Sequence, residues 1–439
     1  MAGTGLLLAA LALLACGKPD SQTTPSIVIV TLDTLRRDHV GAYGSEAGLT
    51  PHLDALADRG LVHEQAFTTI PTTAPALASL FTGMLPDEHG MTANGTPLAA
   101  ALSPRQVPFL LREAGYATAA FVPTRLLAQR VTGFDGFEVY DAPKQRLRDG
   151  ASVVEAASRW LAVEARRPIF LWVHLYDAHA PYGVRHGSPG GLEVDPRSHG
   201  FVDPAAFADG SGRAAQRERY ARGVRSVDAA LGDLLESVRG LLDEPLILVA
   251  ADHGEALDEH LESRHYAFDH GEFLDGESVR IPLVIEGPGV EPGRSGAVIS
   301  IRDVHGTALR AAGVTLREGG MGTMWDLRVA DGGERLVWME RRWVGESERA
   351  ALDPRARAAL EQHVLGVSDG RGLVVLGPGG VAPLADGAAP AELLDRARTR
   401  LEARAPRVEP ARPTQFDAGR LEDLRSLGYL GDPSERGTP

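Results

Sequence analysis

Ser26-Ile27-Val28-Ile29-Val30-Thr31-Leu32-Asp33 is a β-branched run that stops on a carboxylate. It is apolar without alternation, so it reads as a strand buried on both faces of a parallel sheet. The pattern returns at Pro245-Leu246-Ile247-Leu248-Val249-Ala250-Ala251-Asp252-His253-Gly254, again stopping on an Asp. Pro168-Ile169-Phe170-Leu171-Trp172-Val173-His174 and Ile281-Pro282-Leu283-Val284-Ile285 are of the same kind. Helical spacing is found over residues 53–59, 77–81, 107–114, 152–164 and 220–241. Strands alternating with helices mean an open α/β sheet. Polar residues arrive where the strands stop, at Asp33, His174 to His179, and Asp252-His253. Ligands of such sheets bind beyond the carboxyl ends of the strands, so these groups are predicted on one rim.

A chain of 439 residues is long enough for one large domain and a smaller one. Its 59 acidic residues against 45 basic ones give a net charge of -14, which argues against a nucleic-acid partner. The 50 glycines and 29 prolines are spread out and read as many loops. Residues 183–212 are rich in Gly, Pro, Asp and Ser and read as a long surface excursion. Beyond Gly313 the pattern weakens. Short strands are expected at 335–338 and 372–376 and helices at 391–404 and 421–430, a smaller C-terminal subdomain.

Residues 6–14 contain only Ala and Leu. The run is too short to span a bilayer and has the length of a signal-peptide core. It leads into Leu13-Leu14-Ala15-Cys16-Gly17, where Cys16 is the single cysteine of the chain. This resembles a bacterial lipoprotein signal, cut before Cys16, which then carries lipid. Met1 to Gly5 depart from that pattern in having no Lys or Arg. The expected division is a signal over 1–16, a tether over 17–26, a catalytic domain over 27–315 and a C-terminal subdomain with tail over 316–439. The expected location is the periplasmic face of a bacterial membrane or the cell surface, anchored to the membrane through Cys16.

Asp33, Asp252 and His253 supply two hard oxygens and an imidazole. With the Thr73 hydroxyl they make a site for one divalent cation: Ca²⁺, Mg²⁺, Mn²⁺ or Zn²⁺. A cation on a Thr oxygen would favour the alkoxide and make a weak nucleophile useful. The competing reading is that both Asp residues cap following helices. Two strand-end Asp residues, one followed by His-Gly, favour the cation.

Several segments then occur in a telling order. Asp33-Thr34-Leu35-Arg36-Arg37-Asp38-His39, Gly41-Ala42-Tyr43-Gly44 and Thr50-Pro51-His52-Leu53-Asp54-Ala55-Leu56-Ala57 come first. Pro75-Ala76-Leu77-Ala78-Ser79-Leu80-Phe81-Thr82-Gly83, His174-Leu175-Tyr176-Asp177-Ala178-His179-Ala180-Pro181-Tyr182 and Asp252-His253-Gly254-Glu255 follow. His270-Gly271, Arg280-Ile281-Pro282-Leu283 and Leu424 to Leu430 complete the set. In number and order they resemble the sulfatase family of the alkaline phosphatase superfamily. The resemblance implies an α/β sandwich with a large, mostly parallel central sheet flanked by helices, plus a smaller C-terminal subdomain. It implies a metal-dependent hydrolase of sulfate or phosphate esters. The substrate would be a small molecule or a glycan- or lipid-linked ester.

The departures narrow the chemistry. The family's Cys/Ser-x-Pro-Ser/Ala-Arg, source of formylglycine, is matched here by Thr73-Ala74-Pro75-Ala76-Leu77. Threonine cannot give the aldehyde, so no formylglycine is expected. Thr73 resembles the nucleophile of the phosphatase and phosphodiesterase branches, which favours phosphomonoester or phosphodiester chemistry. Thr72 is the second choice. The resemblance carries His179 and His270 over as catalytic groups of the anion pocket, with His260 and His265 nearby. A second metal on Asp177, His179 and His270 is the alternative. The short gap from Asp177 to His179 favours one. The alternative functions are an envelope phosphotransferase and a catalytically weakened relative that binds polyanions.

Overall fold

The computed structural model describes residues 24–399, except 145–146, 165–167, 181, 183–200, 202–203, 208–209, 316–323, 330–334, 343, 345–348, 351, 353, 363, 371, 378–379, 385–390, 392–393 and 397. The expected signal with Cys16, most of the tether and of the excursion, and the helix expected at 421–430 lie outside the described residues.

β1 (Ile27–Leu32), β2 (Leu61–Phe67), β3 (Ala117–Phe121), β4 (Val139–Asp141), β5 (Ile169–Leu175), β6 (Leu246–Ala251), β7 (Leu283–Glu286) and β8 (Gly293–Ser300) form one sheet. Their order is β4-β3-β5-β1-β6-β7-β2-β8. β7 runs antiparallel to both its neighbours, and every other pair is parallel. The expected large, mostly parallel sheet is therefore present. β1 lies between β5 and β6 with all six residues buried, as its unbroken apolar run required.

Helices flank the sheet. Ser211–Leu241 packs on both Gly150–Glu164 and Pro51–Ala57, and Thr73–Thr82 packs on Asp303–Ala311. The helix expected over 220–241 starts earlier, at Ser211. Its added turns are polar, and they are tied down by ion pairs of Arg213 with Glu262 and Arg217 with Asp258. The helix expected over 77–81 starts at Thr73. Pro75 is tolerated there because a first-turn residue has no intrahelical N–H bond to lose. Among the described residues no helix is long and apolar enough to cross a membrane.

β9 (Val337–Glu340), β10 (Leu365–Ser368), β11 (Leu373–Gly377) and β12 (Gly380–Leu384) form a separate antiparallel sheet in the order β12-β11-β10-β9. Backbone bonds tie its first strand to the large sheet's rim. Glu340 N donates to Thr69 O at 2.8 Å and Arg342 N to Gly271 O at 2.8 Å.

Candidate functional site

Strand register builds the centre of the site. In β1 and β6 Leu32 pairs with Ala251, so the next residues, Asp33 and Asp252, leave the sheet side by side. Both carboxylates are fully buried. Ligand atoms of Asp33, Asp252 and His253 all lie within 4.8 Å of one another. His253 Nε2 stands 3.8 Å from Asp33 Oδ1 and 3.6 Å from Asp252 Oδ2. Those two oxygens have no hydrogen-bond partner. Orphaned buried carboxylate oxygens are costly, and two of them facing one imidazole nitrogen fit a divalent cation. The helix-cap reading fails, since Asp252 Oδ1 is taken by the N–H groups of Thr34, at 3.3 Å, and of its own neighbour His253, at 2.8 Å.

Thr73 completes the group. As the first residue of its helix it points its hydroxyl back at the strand ends. Oγ1 donates to Asp33 Oδ2 at 3.4 Å and lies 3.3 Å from His253 Nε2. Thr72 is the N-cap, and its buried hydroxyl makes no hydrogen bond. Leu77, aligned with the family's Arg, is fully buried in the apolar core.

His179 and His270 are buried beside His253. The His270 ring centroid is 4.3 Å from that of His253 and 5.0 Å from that of His179. Tyr176 stacks on His179 at 4.1 Å. Asp177 is not part of this group. Its Oδ2 accepts from Gly150 N at 2.9 Å and caps the helix Gly150–Glu164. This occupies one oxygen of the carboxylate in the alternative two-metal set, and Asp177 also lines a small pocket with His179. His265 sits at φ 55° in the turn ending a short helix. His260 joins Asp275 and Glu277 in a separate cluster, where Arg264 holds both Asp275 oxygens at 2.6 and 3.0 Å.

The electrostatics are uneven. Burial alone would raise the Asp33 carboxyl, but the hydrogen bond from His174 and the charges of His179, His174 and His253 hold it well below the usual range. Burial and the neighbouring Asp33 push Asp252 up to about 6. Burial takes His179 down to about 4 and, with the charge of His253, takes His270 well below its ordinary value. Burial raises Glu255 to about 7.

Three supporting residues were given no role from the sequence, although His174 stood on the predicted rim and Glu255 within a matching segment. His174 pairs with Thr31 across β1 and β5, and a directed chain runs through it. Trp172 Nε1–H donates to Thr31 Oγ1 at 2.9 Å; Thr31 Oγ1 meets His174 Nδ1 at 2.7 Å; His174 Nε2 meets Asp33 Oδ2 at 2.9 Å. The ionised Asp33 carboxylate only accepts, so His174 carries a proton on Nε2, and Thr31, accepting from the indole, can give its hydroxyl proton to His174 Nδ1. Asn94 Oδ1 accepts from Ala74 N at 2.9 Å, beside Thr73. Glu255 Oε2 lies 3.1 Å from His270 Nδ1. A fully buried histidine closing an apolar strand was the available signal for His174. Nothing in the local pattern marked Asn94.

Comparison with known proteins gives the family of the chain and its fold. A family model described as Sulfatase matches residues 25–314. Human N-sulphoglucosamine sulphohydrolase is 29% identical over 49% of this chain, which spans 47% of that protein's length. Choline-sulfatase of Rhizobium meliloti (strain 1021) is 28% identical, with 67% of this chain and 69% of the relative covered. Among solved structures, the phosphonate monoester hydrolase SpPMH of Silicibacter pomeroyi shares the fold with a TM-score of 0.62 at 18% identity, covering 87% of this chain and 95% of that one. The phosphonate monoester hydrolase of Agrobacterium radiobacter does so with a TM-score of 0.60 at 21% identity, covering 92% and 95%. Matched along residues 25–314, the chain belongs to the sulfatase family.

Proposed function

We propose that the protein hydrolyses phosphate or sulfate esters with Thr73 as nucleophile, and that phosphomonoesters or phosphodiesters are the preferred substrates. One observation carries this reading: the Thr73 hydroxyl lies within 3.4 Å of both Asp33 and His253, beside two unpartnered carboxylate oxygens. Asp33, Asp252, His253 and Thr73 would hold one divalent cation, which supplies Lewis acidity to the nucleophile and to the ester oxygens. Thr73 Oγ1 bonds to phosphorus and its proton passes to water, from which the leaving oxygen takes one up. The ester bond breaks with its electron pair on the leaving oxygen, and water then hydrolyses the phospho-threonine. His179 and His270 face the non-bridging and leaving oxygens. Leu147, Arg148, Asp149, Tyr176 and Asp177 line a small pocket beside His179.

Formylglycine has no precursor at this position, so activity is expected without a maturation partner. Thr73→Val removes the attacking atom and is expected to cost several orders of magnitude in kcat/KM, while Thr73→Ser keeps part of the activity. A panel of phosphate mono- and diesters and sulfate esters, run on metal-analysed protein, tests this. Undiminished turnover by the Val variant refutes the nucleophile. Sulfate esters outpacing every phosphoester refutes the preference. The reading also places the domain outside the cytoplasm on a lipidated Cys16. An intact mass showing unprocessed Met1 and a free thiol refutes that part.

A further inference from the structure

Glu255 is a carboxylate with no exposed surface. Such a group is costly unless every lone pair is directed to a donor. Oε1 accepts from the Tyr182 hydroxyl at 2.8 Å, and Oε2 lies 3.1 Å from His270 Nδ1. Tyr182 in turn packs edge-on against Tyr220, with ring centroids 5.4 Å apart. Tyr220 is bound to the segment after Asp33: its hydroxyl donates to Thr34 O at 2.7 Å and accepts from Arg36 N at 2.8 Å. Arg36 Nη1 donates to Glu255 O at 3.3 Å. The preceding Gly254 is fixed too. A Cβ there would meet Glu277 O at 1.9 Å, and Gly254 N donates to Ser278 O at 2.9 Å. The backbone and side chain of Glu255 are thus both held, and one carboxylate oxygen is aimed at a ring of the site.

We propose that Glu255, braced by Tyr182, is the positioning residue that fixes the ring plane and tautomer of His270. The inference rests on the reading of His270 as an ester-contacting group. With Tyr182 donating to one oxygen of the ionised carboxylate, the other accepts the His270 Nδ1–H. Nε2 is then the bare nitrogen, an acceptor that meets a protonated oxygen of the substrate or takes up a proton before donating one to the leaving oxygen. A histidine without this brace could rotate about its side-chain torsions and offer either nitrogen. Orientation of this kind is worth about 10–100-fold when outer partners of site histidines are removed.

The test uses the full chain in two arms. In the first, ¹⁵N-histidine-labelled protein without added metal is examined by long-range ¹H–¹⁵N correlation, with His270 identified by its loss in His270→Gln. The parent is expected to show a single Nδ1–H tautomer at His270, and Glu255→Ala a mixture. An Nε2–H tautomer in the parent, or an unchanged ring in the variant, overturns the proposal.

The second arm is a kinetic cycle on the best ester substrate. Glu255→Ala is expected to lose about 10–100-fold in kcat/KM, mostly in kcat. In the His270→Gln background the same change should cost no more than about twofold, since the two act as a unit. Glu255→Gln, which keeps an acceptor in place, should retain most of the activity. Fully additive losses overturn the proposal. So does loss of cation binding in Glu255→Ala, because Glu255 would then be acting on His253. Should the Ala variant not fold, Tyr182→Phe replaces it in the cycle, with a smaller loss expected that again vanishes in His270→Gln. A parent with no ester turnover refutes the proposed function, and the spectroscopic arm still decides the role of Glu255.

Discussion

Thr31→Val should disturb the site without touching any residue that could meet a ligand. Thr31, Trp172 and His174 are all fully buried, and Val has the shape of Thr, so no cavity opens. What disappears is the central link between Trp172 Nε1–H and His174 Nδ1. Each of those groups is left unpaired in the core at about 1–3 kcal/mol. The added methyl offsets about 0.8 kcal/mol. The net destabilisation is then about 1–5 kcal/mol, against about 5–15 kcal/mol for a typical domain. Urea denaturation of the full chain reads it directly. A second effect is expected in binding. His174 orients Asp33, and loosening such an outer partner should weaken divalent-cation affinity about 10–100-fold. Thr31→Ser retains the hydroxyl and should keep the affinity. If Thr31→Val stays within about 0.5 kcal/mol of the parent and binds cation equally well, the directed chain has no energetic meaning.

Three further outcomes are expected. Saturating divalent cation should raise the thermal midpoint, since about 100-fold excess over Kd adds about 2.7 kcal/mol; Asp252→Asn should abolish that response, and an equal shift in both proteins refutes the site. The His260 cluster should show a pH-dependent contribution: burial lowers the ring, but the hydrogen bond to Glu277 and the charge of Asp275 raise it above 6.5 in the fold. Its stabilisation is therefore full below pH 6.5 and lost as pH rises through the folded value, so the gap in urea midpoint between parent and His260→Asn should shrink from about pH 5.5 to about 9, and a widening gap refutes it. Gly254→Ala should cost about 1–3 kcal/mol or more by overpacking, because its Cβ meets backbone at 1.9 Å rather than a yielding side chain; a neutral result in chemical denaturation shows that the loop moves aside.

The large sheet was legible where its strands are buried on both faces. β1, β5 and β6 are continuous apolar runs and were identified within a residue or two. β2 was missed because His63, Glu64 and Gln65 interrupt it. The structure shows why they are allowed there: the register slips between His63 and Gln65, and β2 lies near the sheet's edge beside β8. β3, Ala117–Phe121, has three Ala in five residues and carries little β propensity of its own. It is a strand because it pairs with β5 along its whole length. β8 begins Gly-Arg-Ser-Gly, a composition that reads as a loop, and its first half is largely exposed at the edge. In each case pairing with a neighbour, absent from any local window, decided the conformation.

The site divides along the same line. Asp33, Asp252 and His253 follow strands that the sequence marks clearly, and a shared register places them together with no further information. Thr73 and His270 entered by resemblance of their motifs, since neither follows a recognisable strand. The residues passed over act at second remove. His174 is set by its partner across the sheet, Asn94 by a backbone N–H at a helix start, and Glu255 by a tyrosine 73 residues before it. A chemical group that meets substrate must be of a certain type, and type is visible in a sequence. A group that holds another in place need only be polar and near, and nearness is a property of the fold. Thr34 illustrates the difference. It adopts φ 53°, strained for a β-branched residue at about 1–3 kcal/mol, yet this turn is what delivers its N–H to Asp252 beside Asp33. No propensity would have placed a threonine there; the demand that two carboxylates face one point does.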